Sequence, residues 1–325
     1  MQQQAPVSQQ QAAMFAETFE RLGSAIDSVV LGKPHVVRLA LTAMVAQGHV
    51  LLEDVPGTGK TTLARAISSA VAGKWRRIQF TPDLLPSDVS GVTIFNQQAQ
   101  SFEFHPGPVF ANIVIADEIN RASPKTQSAL LEVMEEHHVT VDGQPHPVPQ
   151  PFLVVATQNP VEMDGTYRLP EAQLDRFLVK LSVGYPVEAA EIEVLRGTHH
   201  RSPEAVPAIV DTDTVAQMAE MAKNVFIADP LYLYLVRLAA ATREHPEVTV
   251  GVSPRGLIAL SRAACVFALS QGRTYVIPED VKTLAGPVFA HRIQVAPDAS
   301  MRGITGNTIV EQVCENVSVP LPAAA

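Results

Sequence analysis

The spacing of apolar residues along the chain changes near residue 185. Before that point, short apolar runs of strand length alternate with segments of helical period, and after it the helical period dominates. The strand-like runs are HVLLE at 49–53, RRIQF at 76–80, NIVIADE at 112–118, FLVVATQN at 152–159 and LVKLSV at 178–183. Strands that alternate with helices predict a parallel sheet with helices on both faces. We therefore predict an α/β domain followed by an all-α domain.

Helical spacing also marks where the domains begin and end. The predicted helices lie at 14–30, 35–47, 60–72 and 123–136 in the first domain, and at 187–197, 211–243, 254–271, 278–290 and 305–317 in the second. The first residues, MQQQAPVSQQQAA, are rich in Gln and predict a disordered tail. The predicted division is a tail at 1–13, the α/β domain at 14–184 and the helical domain at 185–325.

Two further segments alternate as short strands around a turn. Residues 91–105 alternate around the polar sequence NQQAQ, and HHVTVDGQPHPV places the turn pair Asp142-Gly143 between two extended pieces. Both segments predict β-hairpins.

The sequence DVPGTGKT at 54–61 lies between a predicted strand and a predicted helix, as a phosphate-binding loop does. Glycines let the backbone N–H groups face phosphate oxygens, Lys60 supplies a positive charge, and the Thr61 hydroxyl is suited to ligate Mg²⁺. The generic pattern has Gly where this chain has Asp54. The residues predicted to bind the nucleotide are Gly57, Thr58, Gly59, Lys60, Thr61 and Thr62.

Acidic and amide side chains follow two of the later strands. Asp117 and Glu118 end the run IVIADE, and together with the loop they predict an ATPase site in which Asp117 binds Mg²⁺ and Glu118 is the general base. Alone, the same run fits a buried strand that ends in two solvated acids. Asn159, at the end of the next buried run, is suited to orient the attacking water; the alternative is a turn residue before Pro160.

Two arginines are candidates to neutralise charge on the γ-phosphate of ATP. Arg176 lies in LPEAQLDRF near the end of a predicted short helix, and Arg255 lies in SPRG, where a helix of the second domain begins. The alternative for each is an ordinary surface arginine.

Composition narrows the class of protein. The chain has 325 residues, a net charge of −9 and no apolar stretch of 18 residues, so we expect no transmembrane helix. The acidic total and the lack of a basic stretch interleaved with aromatic residues argue against nucleic-acid binding. Two cysteines are too few for a disulfide framework, and we expect a soluble cytoplasmic protein.

Together these motifs closely resemble the MoxR family of AAA+ ATPases. The resemblance rests on DVPGTGKT, IQFTPDLLPSDVSG, IVIADEINRASPKTQSALLEVMEE, ATQNP, LPEAQLDRF and SPRG. It implies an AAA+ P-loop core with a helical lid, assembled as a ring, usually a hexamer, that binds ATP and Mg²⁺. The matching positions are Lys60 and Thr61 for Walker A, Asp117 and Glu118 for Walker B, Asn159 for sensor 1, Arg176 for the arginine finger acting on the neighbouring subunit's ATP, and Arg255 for sensor 2.

The same resemblance implies roles for the remaining segments. The hairpin at 91–105 is similar to the helix-2 insert and the second hairpin to the pre-sensor-1 hairpin, and both would project towards the ring surface or pore. Val30, Leu31 and Gly32 are candidates for the adenine side, and an acid at position 54 is usual in the family. Arg121 follows the family phrase DEINRA, where it would either reach the subunit interface or pair with an acid.

The predicted function is ATP-driven, chaperone-like remodelling of a protein partner, by maturation or metal-cofactor insertion. The resemblance suggests a von Willebrand factor A domain protein, encoded separately, as that partner. Alternatives are a nucleic-acid remodelling motor, a magnesium-chelatase-like subunit, and a nucleotide-dependent switch without useful turnover.

Overall fold

The structure of the chain, a computed structural model, describes residues 6–54, 58–159, 167, 169–185, 188–196 and 202–319. The strands are β1 (Val50–Glu53), β2 (Trp75–Gln79), β3 (Gly91–Asn96), β4 (Ser101–Pro106), β5 (Ile113–Asp117), β6 (His138–Val141), β7 (Gln144–Pro147), β8 (Leu153–Gln158), β9 (Val179–Leu181), β10 (Val248–Val250) and β11 (Gln294–Val295). Among the described residues, no helix combines the length and apolarity that crossing a membrane requires.

The helices alternate with the strands at first and then dominate. They are α1 (Gln9–Asp27), α2 (Pro34–Val45), α3 (Lys60–Ala70), α4 (Pro86–Ser90), α5 (Pro124–Glu136), α6 (Glu171–Leu174), α7 (Glu188–Leu195), α8 (Thr212–Ala222), α9 (Asp229–Glu244), α10 (Pro254–Ser270), α11 (Pro278–Phe289), α12 (Pro297–Met301) and α13 (Gly306–Asn316). The apolar pattern did not predict the short elements α4, α12, β10 and β11.

A five-stranded parallel sheet in the order β2-β5-β8-β1-β9 forms the centre of the first domain. It contains all five strands that the apolar runs predict. Register pairs Ile113 of β5 with Leu153 of β8, and Val50 of β1 with Val155 of β8. Because the strands are parallel, β1, β5 and β8 end at the same edge of the sheet.

Helices cover both faces of this sheet, as the pattern predicts. Successive residues of one strand enter different apolar clusters, since side chains alternate across a sheet. Leu52 packs in a cluster with Leu63 of α3, whereas its neighbour Leu51 packs in a second cluster with Leu130 of α5. The three central strands, β5, β8 and β1, are therefore buried on both sides, and this burial fixes where each of them ends at the sheet edge.

The first helix begins earlier than the composition predicts. Ser8 caps α1, because its hydroxyl accepts from the backbone N–H of Gln11 (3.2 Å) while the Gln11 side chain accepts from the Ser8 N–H (2.9 Å). Ala12 is fully buried. The prediction of a disordered tail is thus wrong for residues 9–13, where capping and burial outweigh the polar composition; residues 1–5 lie outside the described part.

The second domain packs its helices around α10, which contacts α1, α2, α8, α9 and α11. The segment predicted as helical at 211–243 divides into α8 and α9, and Pro230 lies in the first turn of α9. The first apolar cluster runs from Ala12 to Val313, so both predicted domains share it. The boundary at 184–185 falls between β9 and α7, where residues 186–187 are not described, and it stays a prediction.

Both predicted hairpins are present. Strands β3 and β4 pair antiparallel from Gly91↔Pro106 to Asn96↔Ser101, and β6 pairs with β7 around Asp142 and Gly143. These two turn residues have φ values of +50° and +77°, as a two-residue type I′ turn requires. The Phe104 ring of the first hairpin stacks on the His146 ring of the second at 4.1 Å between centroids, so the hairpins contact one another.

Arg292 joins the helical domain to the α/β domain. Its side chain is 2% exposed, and its Nε donates to Asp175 Oδ1 at 2.7 Å. Nη2 donates to the carbonyl oxygen of Phe177 at 2.7 Å. The second oxygen of Asp175 accepts from the hydroxyl of Ser253, the N-cap of α10, at 2.9 Å. One partly buried carboxylate therefore connects two parts of the helical domain to the segment before β9.

Replacing Asp175 by Ala would leave the buried Arg292 charge without its partner. We expect Asp175→Ala to lower the free energy of unfolding by about 3–5 kcal/mol, measured by urea titration with far-ultraviolet circular dichroism. The matched control is Glu247→Ala, because Glu247 pairs with the largely exposed Arg302 at 2.6 Å and should cost only about 0–1 kcal/mol. Equal losses of unfolding free energy for both variants would show that the buried Arg292 charge does not need Asp175 to be stabilised.

Candidate functional site

The loop after β1 leads into the N-terminus of α3 through a glycine in the left-handed region. Gly59 has φ +87°, and a Cβ built on it would meet nothing within 4 Å, so the backbone conformation, not lack of space, favours glycine. Gly59 is the N-cap of α3, which begins at Lys60, so the N-cap residue itself has no side chain to cap the helix. A helix N-terminus after such a turn is suited to bind phosphate. Gly57 lies outside the described residues, and Thr58 is buried.

Lys60 lies among acidic groups. Its Nζ donates to the carbonyl oxygen of Asp54 at 2.7 Å. Burial lowers the pKa of the Lys60 ammonium below its ordinary value. The carboxylates of Asp54, Asp117 and Glu118 act in the opposite direction: their negative charges favour the charged ammonium and raise its pKa. The ammonium is thus held beside the acids that the sequence assigns to metal binding and catalysis.

The Asp54 side chain makes contacts that the generic glycine could not make. Its Oδ2 accepts from the Ser182 hydroxyl at 3.2 Å and from the backbone N–H of Gly184. The carboxylate therefore connects the phosphate-binding loop to the segment that follows β9. That segment in turn contacts the loop between α1 and α2, where Lys33 Nζ donates to the Tyr185 carbonyl oxygen at 2.6 Å.

The three adenine-side candidates lie in this same loop between α1 and α2. Val30 is buried, Leu31 is half-buried, and Gly32 is exposed with φ +71°. The segment at 182–185 links their loop to Asp54, and none of the three lines the cavity that contains Lys60.

Asp117 and Glu118 are positioned by a threonine on the neighbouring strand. Thr157 Oγ1 donates to Asp117 Oδ1 at 3.1 Å and accepts from the Glu118 backbone N–H at 2.9 Å. Glu118 adopts φ +56°, a conformation that non-glycine residues rarely adopt and that often marks a functional site. Sequence reasoning missed Thr157, although its place two residues before Asn159 in a buried strand was a usable signal.

Strand β2 also supplies partners for both acids. Arg77 Nε lies 2.6 Å from Asp117 Oδ2, and Gln79 Nε2 donates to Glu118 Oε2 at 2.8 Å. The two β2 side chains contact each other, since Arg77 Nη2 donates to Gln79 Oε1 at 3.0 Å. Arg121 Nη1 donates to Glu118 Oε2 at 3.0 Å, so of its two predicted roles the structure shows pairing with an acid.

These residues enclose a cavity of about 170 Å³ at the carboxyl edge of the sheet. It is lined by Lys60, Arg77, Gln79, Asp117, Glu118, Thr157, Gln158 and Asn159. The predicted lysine, both acids and Asn159 therefore meet in one place. Thr61 and Thr62 are half-buried in the first turn of α3 and do not line the cavity. A cationic side chain, a helix N-terminus that follows a glycine turn and a carboxylate are a set that fits a nucleotide phosphate with Mg²⁺.

Arg176 and Arg255 lie elsewhere. Arg176, two residues past α6, contacts Glu135 Oε2 at 3.0 Å, and Arg255 contacts the other oxygen of the same carboxylate. Both arginines line a second cavity of about 190 Å³ between α5 and α10, and it shares no lining residue with the cavity of Lys60. Within one chain, the structure brings these two arginines together but does not bring them to the acids of the first cavity.

Two protein-family models match the chain. A model of the ATPase family associated with various cellular activities (AAA) matches residues 49–179. A model of the AAA lid domain matches residues 240–313. The first match contains the cavity of Lys60, and the second contains Arg255 and Arg292.

Several proteins are similar over nearly the whole chain. An uncharacterized protein YeaC from Bacillus subtilis is 50% identical, over 92% of this chain and 94% of that protein. The chaperone MoxR1 of Mycobacterium tuberculosis is 41% identical, over 93% and 82%. The protein MoxR of Paracoccus denitrificans is 32% identical, over 94% and 97%. A crystal structure from Cytophaga hutchinsonii, described as a "putative ATPase", is 38% identical with a TM-score of 0.89, over 95% and 97%.

Changing Asp54 to the generic glycine tests the role of its carboxylate. We expect Asp54→Gly to weaken nucleotide binding and to lower stability by about 1.5 kcal/mol, because Ser182 and Gly184 lose a charged acceptor. Asp54→Asn, which keeps one acceptor oxygen, should lose less. Thermal unfolding and titration with a fluorescent ATP analogue measure both effects.

Asp142→Gly is the matched control for that change, since Asp142 lies in a hairpin turn with φ +50°, which glycine adopts freely. It should leave nucleotide affinity unchanged. An Asp54→Gly protein that binds nucleotide as tightly as the wild type would show that the contacts with Ser182 and Gly184 are dispensable.

Proposed function

The chain belongs to the MoxR family of AAA+ ATPases, and from this premise we propose that it is an ATPase that assembles as a ring, a hexamer, and remodels a protein partner. The observation that carries the proposal is the meeting of Lys60, Asp117 and Glu118 in one cavity, with Asn159 beside them. A phosphate-binding lysine, a metal-binding acid and a general base are the parts that ATP hydrolysis needs.

Each residue has a distinct role in the proposed reaction. Lys60 binds the β- and γ-phosphates, and the N-terminus of α3 adds its partial positive charge. Thr61 and Asp117 would hold Mg²⁺, which in such sites neutralises charge on the phosphate oxygens. Glu118 takes a proton from the attacking water, and Asn159 orients that water. Gln79 and Arg121 hold one oxygen of Glu118, which leaves its other oxygen for the water.

We further propose that Arg176 and Arg255 both act on ATP bound to the neighbouring subunit. Their separation from the cavity of Lys60 supports this, as does their common contact with Glu135. Arginine stabilises the charge that develops on a transferring phosphoryl group, and one supplied from a neighbour makes hydrolysis depend on assembly. The site of one chain is then completed only in a ring.

The two hairpins are the proposed contact with the partner. The first hairpin exposes apolar side chains on both faces, and Phe102 is 74% exposed. Such a surface suits a protein rather than a nucleic acid, which a basic surface would favour. The name of one relative, a chaperone, supports a protein client. A von Willebrand factor A domain protein, maturation or metal-cofactor insertion, and a cytoplasmic location remain proposals from the family.

Mixed rings test both the ATPase assignment and the action across subunits. Glu118→Gln alone should keep nucleotide binding and lose turnover, and Arg176→Ala alone should also lose turnover. Mixing the two proteins should restore part of the activity, because some interfaces then pair an intact Glu118 with an intact Arg176. Phosphate release measures turnover, and light scattering after size exclusion, with ATP present, measures the mass of the assembly.

Arg255→Ala should complement Glu118→Gln in the same way. A mixture that forms rings but stays inactive would contradict action across the interface. A Glu118→Gln protein that binds ATP and remains a monomer would instead favour a nucleotide switch. Stimulation by DNA that declines with salt would favour the nucleic-acid motor, and stimulation by a chelatase partner with a porphyrin would favour the chelatase-like subunit.

Phe102→Ala tests whether the first hairpin contacts the client. We expect it to leave basal ATP turnover unchanged and to weaken stimulation by an unfolded model protein, α-casein, by about tenfold in half-saturating concentration, as loss of an aromatic contact predicts. Phe226→Ala is the matched control, since Phe226 is 64% exposed on the helical domain. Equal effects of the two changes would argue against a specific role for the hairpin.

A further inference from the structure

The metal-binding acid of the cavity already has a cationic partner from its own chain. Arg77 Nε contacts Asp117 Oδ2 at 2.6 Å, while the other oxygen, Oδ1, accepts from Thr157. The Asp117 side chain is 10% exposed, whereas that of Arg77 is 52% exposed. A mostly buried carboxylate is therefore neutralised by a guanidinium that reaches it from the solvent side.

The position of Arg77 on its strand makes this contact specific. Strand β2 is the edge of the sheet, and Gln79 pairs in register with Asp117, so the Arg77 side chain extends along the strand to reach the acid. Gln79 Oε1 accepts from Arg77 Nη2 and fixes the guanidinium there. The neighbouring Arg76 projects from the other face of β2, because side chains alternate along a strand.

The charges in the cavity explain what this contact does. Lys60 and Arg77 provide two positive charges beside the negative charges of Asp117 and Glu118. A divalent cation at Asp117 would meet the Arg77 guanidinium at close range, and like charges there repel strongly. A cation held by Asp117 would therefore compete with Arg77 for this carboxylate.

We propose that Arg77 is the resident counter-ion of Asp117, a positioning residue that holds the carboxylate and that a divalent cation displaces when it binds with nucleotide. This inference rests on the proposed ATPase function. Arg77 then stabilises the site when no ligand is bound, and it lowers the affinity of Asp117 for a metal ion. Since Arg77 is half exposed on an edge strand, its side chain can leave Asp117 without unpacking the core.

Manganese binding tests the competition directly. Free Mn²⁺ is measured by electron paramagnetic resonance while it is titrated into protein saturated with a non-hydrolysable ATP analogue. Arg77→Gln should lower the Mn²⁺ dissociation constant on the order of tenfold, since a neighbouring charge of this kind changes an equilibrium by at least one decade. Arg76→Gln, which removes the same charge from the other face of β2, should leave it unchanged.

Thermal unfolding supplies a second measurement that does not depend on turnover. Without ligand, Arg77→Gln should unfold at a lower temperature than the wild type, because Asp117 loses its counter-ion. With nucleotide and Mg²⁺ the difference should shrink, since the cation replaces that charge. For Arg76→Gln, the difference in unfolding temperature from the wild type should be the same with and without ligand.

Two results would overturn the inference. An unchanged Mn²⁺ dissociation constant in Arg77→Gln would mean that Arg77 and the cation do not compete. Weaker binding of both Mn²⁺ and nucleotide would mean that Arg77 binds phosphate instead. The proposed function fails separately if the wild type binds no fluorescent ATP analogue, whereas a wild type that binds it and an unaffected Arg77→Gln would refute only the role of Arg77.

Discussion

The packing of β1, β5 and β8 on both faces is the constraint on which the site depends. Buried strands cannot slide by one residue, because every side chain would then change faces. Their register therefore fixes Asp54, Asp117 and Asn159 at one edge of the sheet. The helices on either side of the sheet bury these strands. Polar residues placed directly after the strand ends therefore lie close together at the sheet edge.

The meeting of these strand ends places the negative charges of Asp117 and Glu118 close together, and positively charged side chains lie beside both of them. Lys60 faces the acids from α3, and Arg77 and Arg121 contact one acid each. Thr157 adds a neutral contact that bridges both acids through one hydroxyl. Each of the two acids therefore has a cationic partner, which offsets the cost of burying a negative charge beside the other.

Local pattern predicted the parts of the fold that depend on neighbours in sequence. The five sheet strands and both hairpins follow from apolar period. The motifs single out Lys60, Asp117, Glu118 and Asn159, which the fold brings to one cavity. The start of α1 was also readable, since Ser8 and Gln11 have the spacing of a capping box, but the Gln-rich composition favoured a tail.

The remaining site residues depend on which strands become neighbours, and spacing along the chain does not give that. Arg77 and Gln79 reach the acids only because β2 lies beside β5, about forty positions away in sequence. The partners of Asp54 are Ser182 and Gly184, beyond β9. Neither contact follows from the phosphate-binding motif, although both determine how its residues are held.

The two arginines of the second cavity are tied to residues of both domains. Glu135 binds Arg176 and Arg255 at once, and Asp175, next to Arg176, binds Arg292 and Ser253 of the helical domain. The arginines that would act on a neighbour are thus fixed to both domains of their own chain. Arg176 belongs to the α/β domain and Arg255 to the helical domain, so a change in the angle between the domains would alter their shared contact with Glu135. Under the proposed action on a neighbouring subunit, the position of the helical domain would then affect hydrolysis at that neighbour's site.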